Sequence, residues 1–265
     1  MMPDGDRVRL SVLTPVFNGR RFIADCIDNV LAQQAAGVEH IVLDACSTDG
    51  TADIARTLAG RHPHLRVVSE PDRGQSDALN KGIALARGSV LGVLNVDDYY
   101  EPGTLPEVLQ RFESMAEPSL LVGDCNVWNG DGTLSFVAAP NAMSFRALLT
   151  DPNPSNFPVN PAAYFYHRSL HGRVGGYDVS EDLGMDLDFL LRAYRVAGLH
   201  YVPKVFGNFR LWEGTKTFEA MRSGVTQGRV REILARHRRA LPWHERVHLR
   251  LSESLARRWR ARAAR

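Results

Sequence analysis

With 265 residues, 44% of them apolar and 23% charged, and a formal net charge of +2, the chain can bury one large α/β core or two small ones, and a single domain with an appendage is expected. No apolar run reaches the roughly 18 to 20 residues that cross a bilayer, and residues 1–9 are polar with no apolar h-region behind them, so a chain made and kept in the cytosol is expected. The three cysteines, Cys26, Cys46 and Cys125, are dispersed and show no C-x-x-C spacing, which argues against a disulfide framework or a zinc site.

Residues 10–14 read as a buried strand, and Phe22, Ile23, Cys26, Ile27, Val30 and Leu31 then recur at helical spacing. The same strand-then-helix pattern returns at 40–43 and 51–58, at 65–69 and 76–86, and at 90–94 and 104–112. Four such units predict a mostly parallel sheet with helices on both faces. Past residue 118 the rhythm changes. Residues 120–123, 126–128 and 134–137 read as short strands, with Asn129-Gly130-Asp131-Gly132 as a hairpin turn. Residues 151–161 hold Pro152, Pro154, Pro158 and Pro161 and are expected to form a loop across an open face. A strand resumes at 162–166. A helix is expected over 186–197, from Leu187, Leu190, Leu191 and Tyr194, with Gly198 placed to end it. Residues 200–202 and 205–209 look like edge strands.

From Thr217 onward the pattern is helical with a break at Pro242, beyond which Val247, Leu251, Leu255 and Trp259 stand four apart. Residues 229–265 carry twelve arginines against Glu232, Glu245 and Glu253, so the net charge hides a basic tail on an acidic body. The tail reads either as a helix packed on the body or on a second copy, or as a basic helix lying on an anionic membrane. An α/β domain over 1–215 and a basic helical extension over 216–265 are expected.

The apolar run at 90–94 ends in Asn95-Val96-Asp97-Asp98, followed by Glu101-Pro102-Gly103. The carboxyl end of a strand in an open α/β sheet is where ligands bind. Two adjacent carboxylates there raise each other's pKa unless a cation or donors compensate. The economical reading is a Mg²⁺ or Mn²⁺ site whose remaining ligands are waters and substrate phosphates; the alternative is that the pair caps the next helix. The three earlier strands end in comparable loops, namely Pro15-Val16-Phe17-Asn18-Gly19, Asp44 running into Ser47-Thr48-Asp49-Gly50-Thr51, and Glu70-Pro71-Asp72-Arg73-Gly74. The Ser47 to Thr51 stretch also reads as a helix start, whereas Asp44 suits the N–H of a nucleobase. Neither G-x-G-x-x-G nor G-x-x-x-x-G-K-[ST] occurs, so a metal, Arg73 or Lys81 is left to neutralise phosphate.

In this order, Ser11-Val-Leu-Thr-Pro15-Val-Phe-Asn18, Ile41-Val-Leu-Asp44 with the loop after it, Glu70-Pro-Asp72-Arg73-Gly74 running into Asp77-Ala-Leu-Asn80-Lys81-Gly82, Leu94-Asn95-Val-Asp97-Asp98, Val174-Gly-Gly-Tyr-Asp178 and Met185-Asp186-Leu-Asp188-Phe-Leu-Leu-Arg192 resemble the family 2 glycosyltransferases over about residues 10–215. The wording is most similar to bacterial enzymes that build extracellular polysaccharide or glycolipid. The resemblance implies the GT-A fold, a Rossmann-like nucleotide-diphospho-sugar transferase with a mixed, mostly parallel sheet, here with a C-terminal helical extension. It implies that Pro15, Val16, Asn18 and Asp44 hold the nucleoside, and that Asp72, Arg73, Asp77 and Lys81 lie along the ribose, pyrophosphate or donor sugar. Asn95, Val96 and Asp97 fill the DxD motif with Asn95 at its first position, Asp97 matching the metal-binding acid and Asp98 its neighbour.

Asp186 falls where the family places its catalytic base, although an acid in a first helical turn is also ordinary N-terminal charge. Asp188 reads as an orienting or helix-start acid. Asn160, Tyr164 and Trp212 fall where the acceptor wall is built, and Trp212 suits either a sugar face or core packing. Relatives often carry a histidine where this chain has Trp212, with Glu213 or Lys216 as substitutes for its role. The implied reaction is an inverting, Mn²⁺- or Mg²⁺-dependent transfer from a nucleotide sugar, a UDP-sugar first, to a hydroxyl of a glycolipid, lipid-linked or polysaccharide acceptor. No nucleic-acid partner is implied. Peripheral contact with the inner membrane face through the arginine-rich end, and a homodimer, stay open. The competing readings are a non-catalytic sugar-nucleotide-binding protein and a sugar nucleotidyltransferase, the latter expected to carry a Gly-rich basic loop after the first strand.

Overall fold

The computed structural model describes residues 7–181 and 183–249. Its first half follows the strand-then-helix rhythm: β1 (Leu10–Val16), α1 (Ile23–Ala32), β2 (Val38–Asp44), α2 (Thr51–Ala59), β3 (Leu65–Ser69), α3 (Gln75–Leu85), β4 (Val90–Val93) and, after the short β5 (Tyr99–Tyr100), α4 (Thr104–Phe112). β1 to β4 pair in parallel, with Leu13 opposite both Ile41 and Val93, so Val16, Asp44, Ser69 and Val93 all end on one edge. Successive side chains on a strand point to opposite faces. Leu10, Val12 and Val90 therefore bury against α1 and α4, while Leu13, Ile41, Leu91 and Val93 bury against α3 on the other side. That two-sided burial is why these strands are near-continuous apolar runs.

The second half comprises β6 (Ser119–Asn129), β7 (Leu134–Ala138), α5 (Phe145–Thr150), a 3-10 turn (Pro161–Ala163), β8 (Tyr164–His167), α6 (Leu170–Val174), α7 (Met185–Ala193), β9 (Gly198–Leu211), α8 (Lys216–Arg222) and α9 (Val225–Ala240). All strands join one sheet in the order β3-β2-β1-β4-β8-β6-β9-β5, with β7 beside β6. β8 is antiparallel to both β4 and β6, and β9 is parallel to β6. β9 thus runs the same way as β1 to β4. Its carboxyl end, and the amino end of β8, arrive at the edge where Asp44 and the residues after β4 lie.

Several expected boundaries are corrected. Residues 120–123 and 126–128 form one continuous β6, because register shifts around Asp124 absorb the polar interruption as a bulge. Residues 200–202 and 205–209 likewise form one β9, which lies between β6 and β5 rather than at an edge. Pro203 is tolerated there because the β6 register skips from Tyr201 to Val205. The strand expected at 162–166 starts at Tyr164, since Asn160 caps a 3-10 turn through its side chain, which accepts from the Ala162 N–H. The helix expected over 186–197 spans Met185–Ala193, and Gly198 opens β9 instead of closing a helix. The Asp97-Asp98 pair does not cap α4, whose N-cap is Gly103.

The tail breaks first at Gly224, with φ 74°, and again at Leu241-Pro242, and residues 243–249 are helical. Ile233, Leu234, Leu241 and Leu249 are buried in the same core as Leu187, Leu190 and Leu191 of α7, so the tail packs on the body through this stretch. Val247, the first member of the four-apart stripe, is 47% exposed; Leu251, Leu255 and Trp259 lie outside the described residues. Among the described residues no helix is long and apolar enough to cross a membrane.

Candidate active site

At the ends of β1 and β2 two loops are stitched together. Asn18, at φ 53°, donates its backbone N–H to Ser47 Oγ (2.8 Å) and accepts the Thr48 N–H on Oδ1 (2.9 Å). The Arg20 N–H reaches Asp49 Oδ2 (2.9 Å). Val16 and Val96 close over Gly19, and Pro15 is partly buried beside them, so these residues shape a wall without offering a polar group. Asp44 is 2% exposed at the end of β2, held by Ser69 Oγ (2.6 Å) and the Ser47 N–H (3.3 Å). A small open pocket lies here, lined by Leu43, Asp44, Val68, Glu70, Asp72 and Lys81 among others.

The next segment is a set of neutralised charges. Asp72 Oδ1 accepts the Gly74 N–H (2.8 Å), shaping the turn into α3. Arg73 donates its backbone N–H and its guanidinium to the two oxygens of Asp77 (3.1 and 3.2 Å), and holds that carboxyl below the usual range. Lys81 Nζ reaches Glu70 (3.0 Å), Pro71 O (2.6 Å) and Asp77 (3.7 Å). The Arg73 side chain is 75% exposed, so it can turn to an incoming anion at small cost.

Asp97 and Asp98, adjacent in sequence, have different surroundings. Asp98 is 3% exposed and saturated by the protein: Oδ2 accepts from Asn95 Nδ2 (3.0 Å) and Asn160 Nδ2 (2.7 Å), and Oδ1 accepts the Arg210 N–H (3.1 Å). Gln75 Nε2 fixes the other end of Asn95 (2.9 Å). Burial, and then the charge of Asp97, push the Asp98 carboxyl up; burial also raises Asp97. Asp97 is only partly buried and, among the described residues, has one side-chain hydrogen-bond partner, Trp212 Nε1 at 3.4 Å. Trp212 is brought there by the end of β9, packed on Phe22 (ring centroids 4.6 Å apart) with the Arg21 guanidinium over its ring (4.4 Å). Asn160 has both ends of its amide engaged, on Asp98 and on the Ala162 N–H. Glu213 is exposed, 3.9 Å from Arg222.

The third group stands at the start of α7. Asp186 is in its first turn, partly buried, and Oδ1 accepts the hydroxyl of Tyr164, the first residue of β8, at 2.9 Å. Burial pushes the Asp186 carboxyl up to about 6 even though Tyr164 pulls it down. Asp188 is held by Arg192 Nε (2.9 Å), Arg236 Nη2 (2.9 Å) and His237 Nε2 (2.8 Å). Burial opposes its ionisation, but His237 and Arg192 outweigh it and keep the carboxyl well below the usual range. Two acids two residues apart are thus driven in opposite directions, Asp186 upward by burial and Asp188 downward by its cationic partners.

Residues 11–170 match the sequence profile of Glycosyl transferase family 2. The chain belongs to that family. A PGL/p-HBAD biosynthesis glycosyltransferase of Mycobacterium bovis is 30% identical over 260 residues, covering 94% of this chain and 90% of the relative. A chondroitin synthase of Pasteurella multocida is 32% identical over 209 residues, and there the chain matches 78% of its own length but only 21% of the synthase. Among solved structures, Staphylococcus aureus TarS 1–349 in complex with UDP superposes with TM-score 0.67 at 18% identity, over 91% of this chain and 68% of that one. The Pyrobaculum calidifontis mannosyltransferase PcManGT, in complex with GDP-Man and Mn²⁺, gives 0.63 at 21% identity over 92% and 69%. The fold is GT-A, and the chain is a glycosyltransferase.

Several residues hold this glycosyltransferase's site together through contacts that motif reading does not give. Gln75 fixes Asn95, and Arg21 and Phe22 hold Trp212. Asn80 exchanges two hydrogen bonds of 2.8 Å with the Tyr177 backbone and so ties the Gly176-Tyr177 loop to α3. Each joins segments far apart in sequence, where only side-chain type is legible. Among the described residues there is no cluster of three or more His, Cys, Asp or Glu side chains that would cage a metal unaided.

Proposed function

We propose that the protein transfers a sugar, with inversion at the anomeric carbon, from a nucleotide diphosphate sugar to an acceptor hydroxyl, with Asp186 as general base. The observation that carries this reading is the pairing of Asp186 with Tyr164. The tyrosine occupies Oδ1 and leaves Oδ2 to accept a proton, and a carboxyl near 6 is ionised at neutral pH yet basic enough to share a proton in the transition state. The acceptor oxygen attacks the anomeric carbon, the bond from that carbon to the diphosphate oxygen breaks with its electron pair leaving on the diphosphate, and the hydroxyl proton passes to Asp186. Tyr164, named among the acceptor-wall candidates, is then the group that orients the base.

In this reading Asp44 serves the nucleoside end, and Arg73 and Lys81, beside it in the loop after β3 and on α3, are cations available to the diphosphate. UDP is the first nucleotide to test, since the TarS structure holds UDP. The donor set fits a divalent ion of the Mg²⁺ or Mn²⁺ kind: Asp97 offers a hard carboxylate oxygen to the cleft, Asp98 is spent on internal donors, and such ions take one or two carboxylates and complete their shell with substrate phosphates. When bound, the ion offsets charge on the departing diphosphate. Asp97 would hold it, and Asp98, through Asn95 and Asn160, keeps the strand end in place.

The acceptor is proposed to be a glycolipid, lipid-linked or polysaccharide hydroxyl, in keeping with the names of the mycobacterial and Pasteurella relatives. Trp243, 72% exposed, and Val247 stand on the basic tail with Arg246, a composition that suits an anionic lipid surface. The test is release of nucleoside diphosphate from UDP-, GDP- and dTDP-sugars with Mn²⁺, with Mg²⁺ and with EDTA. Metal-dependent release from one donor is expected. Binding of nucleotide with no turnover of any donor, with or without acceptor glycans, would overturn the enzymatic reading of the site.

A further inference from the structure

The C-terminal helix α9 reaches the amino end of α7 from outside the catalytic core. Glu181, whose side chain is 1% exposed, receives Arg229 through Nε (2.8 Å) and Nη2 (2.9 Å), and Arg236 through Nη1 (2.9 Å). Asp188, at 7%, receives Arg236 Nη2 and His237 Nε2 on one oxygen and Arg192 on the other. Arg236 therefore bridges Glu181 and Asp188, and its Nη1 also lies 3.9 Å from Asp178. These anchor points stand five residues before and two residues after Asp186.

The backbone between them is gripped as well. A Cβ on Gly184, the N-cap residue just before α7, would come within 2.2 Å of Ile233 Cδ1, so α9 lies directly on the peptide that aims the helix. From the core side, Ser76 Oγ donates to the Glu181 carbonyl (3.0 Å). Asp186 itself makes none of these contacts. Among the described residues its side-chain hydrogen-bond partner is Tyr164, which comes from the sheet.

We infer that Arg229, Arg236 and His237 of α9 are positioning residues for the catalytic base, holding the first turn of α7 so that the carboxylate of Asp186 meets the acceptor hydroxyl and Tyr164 together. This inference rests on the assignment of Asp186 as the base. The physical reason is alignment: a helix end displaced by about 1 Å loses roughly a hundredfold in rate without losing its substrate. On the proposed reading the nucleotide is held by the loops around Asp44 and Asp97, which take no part in the contacts of Arg229, Arg236 and His237 given above. The basic residues of the tail thus divide into those spent on the body and those, such as Arg246, free of this network.

The test compares Arg236→Ala, Arg229→Ala, Arg236→Lys and His237→Gln in the full chain. The readouts are the Kd for UDP and the kcat for nucleoside diphosphate release from whichever donor of the UDP-, GDP- and dTDP-sugar panel the wild type turns over. For Arg236→Ala, kcat is expected to fall by roughly ten- to a hundredfold with UDP affinity within about twofold, and added guanidinium ion is expected to restore part of the loss. Unchanged kcat, or a kcat that falls only in step with UDP binding and folded fraction, overturns the inference. If Arg236→Ala does not fold, Arg236→Lys and His237→Gln carry the same test, with a smaller kcat loss at unchanged UDP affinity. Asp186→Asn runs alongside: normal transfer by that variant refutes the base itself, whereas an inactive Asp186→Asn with fully active α9 variants refutes the clamp alone.

Discussion

Replacing Tyr164 with Phe removes one hydroxyl that donates to Asp186 Oδ1 at 2.9 Å in a largely buried setting. A hydrogen bond to a charged group contributes about 1.5 to 3 kcal/mol, and each 1.4 kcal/mol of preference for the ionised form is about one pH unit. The bond favours the carboxylate, so its loss raises the midpoint of ionisation, which stands at about 6, by about one to two pH units. If Asp186 is the base proposed above it works only when ionised, and activity is then expected to rise with pH through that midpoint. Tyr164→Phe is therefore expected to move the acid limb of the kcat/KM profile upward, with roughly a tenfold loss near pH 6 that narrows as the pH reaches 8 to 9 and leaves only the loss from poorer orientation. The assay is initial-rate transfer across that range, with UDP affinity as a control. An acid limb at the same pH in both proteins would refute the argument that Tyr164 sets the proton affinity of the base.

Asp97→Ala should abolish the Mn²⁺-dependent part of UDP affinity, and calorimetric titrations that match wild type with and without Mn²⁺ would remove Asp97 from the cation site. Gly207→Ala should destabilise the fold by about 1 to 3 kcal/mol in urea denaturation, since a Cβ there meets the Ala162 backbone and side chain at 2.6 Å where β9 crosses the 3-10 turn; wild-type stability would mean that this crossing has slack. The double variant Trp243→Ala, Val247→Ala should lose sedimentation with vesicles containing anionic lipid while keeping donor turnover in solution, and equal sedimentation would point to packing or self-association as the role of the tail.

Much of the fold is legible because the four strand-helix units obey local rules, with α4 found at the residues its periodicity marks. The long strands β6 and β9 are split on reading because Asp124 and Pro203-Lys204 interrupt the apolar run. What restores continuity is pairing between two strands some 80 residues apart, whose registers shift together. β5 and α5 are too short for a periodic signal to form. At the site, the family resemblance separates Asp97 from Asp98 and Asp186 from Asp188, but the contacts that set the members of each pair apart are not legible. Asp98 is spent on Asn95, Asn160 and Arg210, and Asp188 on Arg236 and His237, all of them tertiary contacts. Trp212 reads equally as sugar platform or core residue until β9 sets it beside Asp97.

The most direct measurement on the central claim is transfer and nucleotide binding by Asp186→Asn, an isosteric change that keeps the Tyr164 contact site and removes the proton acceptor. The account predicts UDP affinity within about twofold of wild type and transfer reduced by roughly a hundredfold or more. Transfer at the wild-type rate with the same pH profile would contradict it, and the base would have to be sought elsewhere in the cleft.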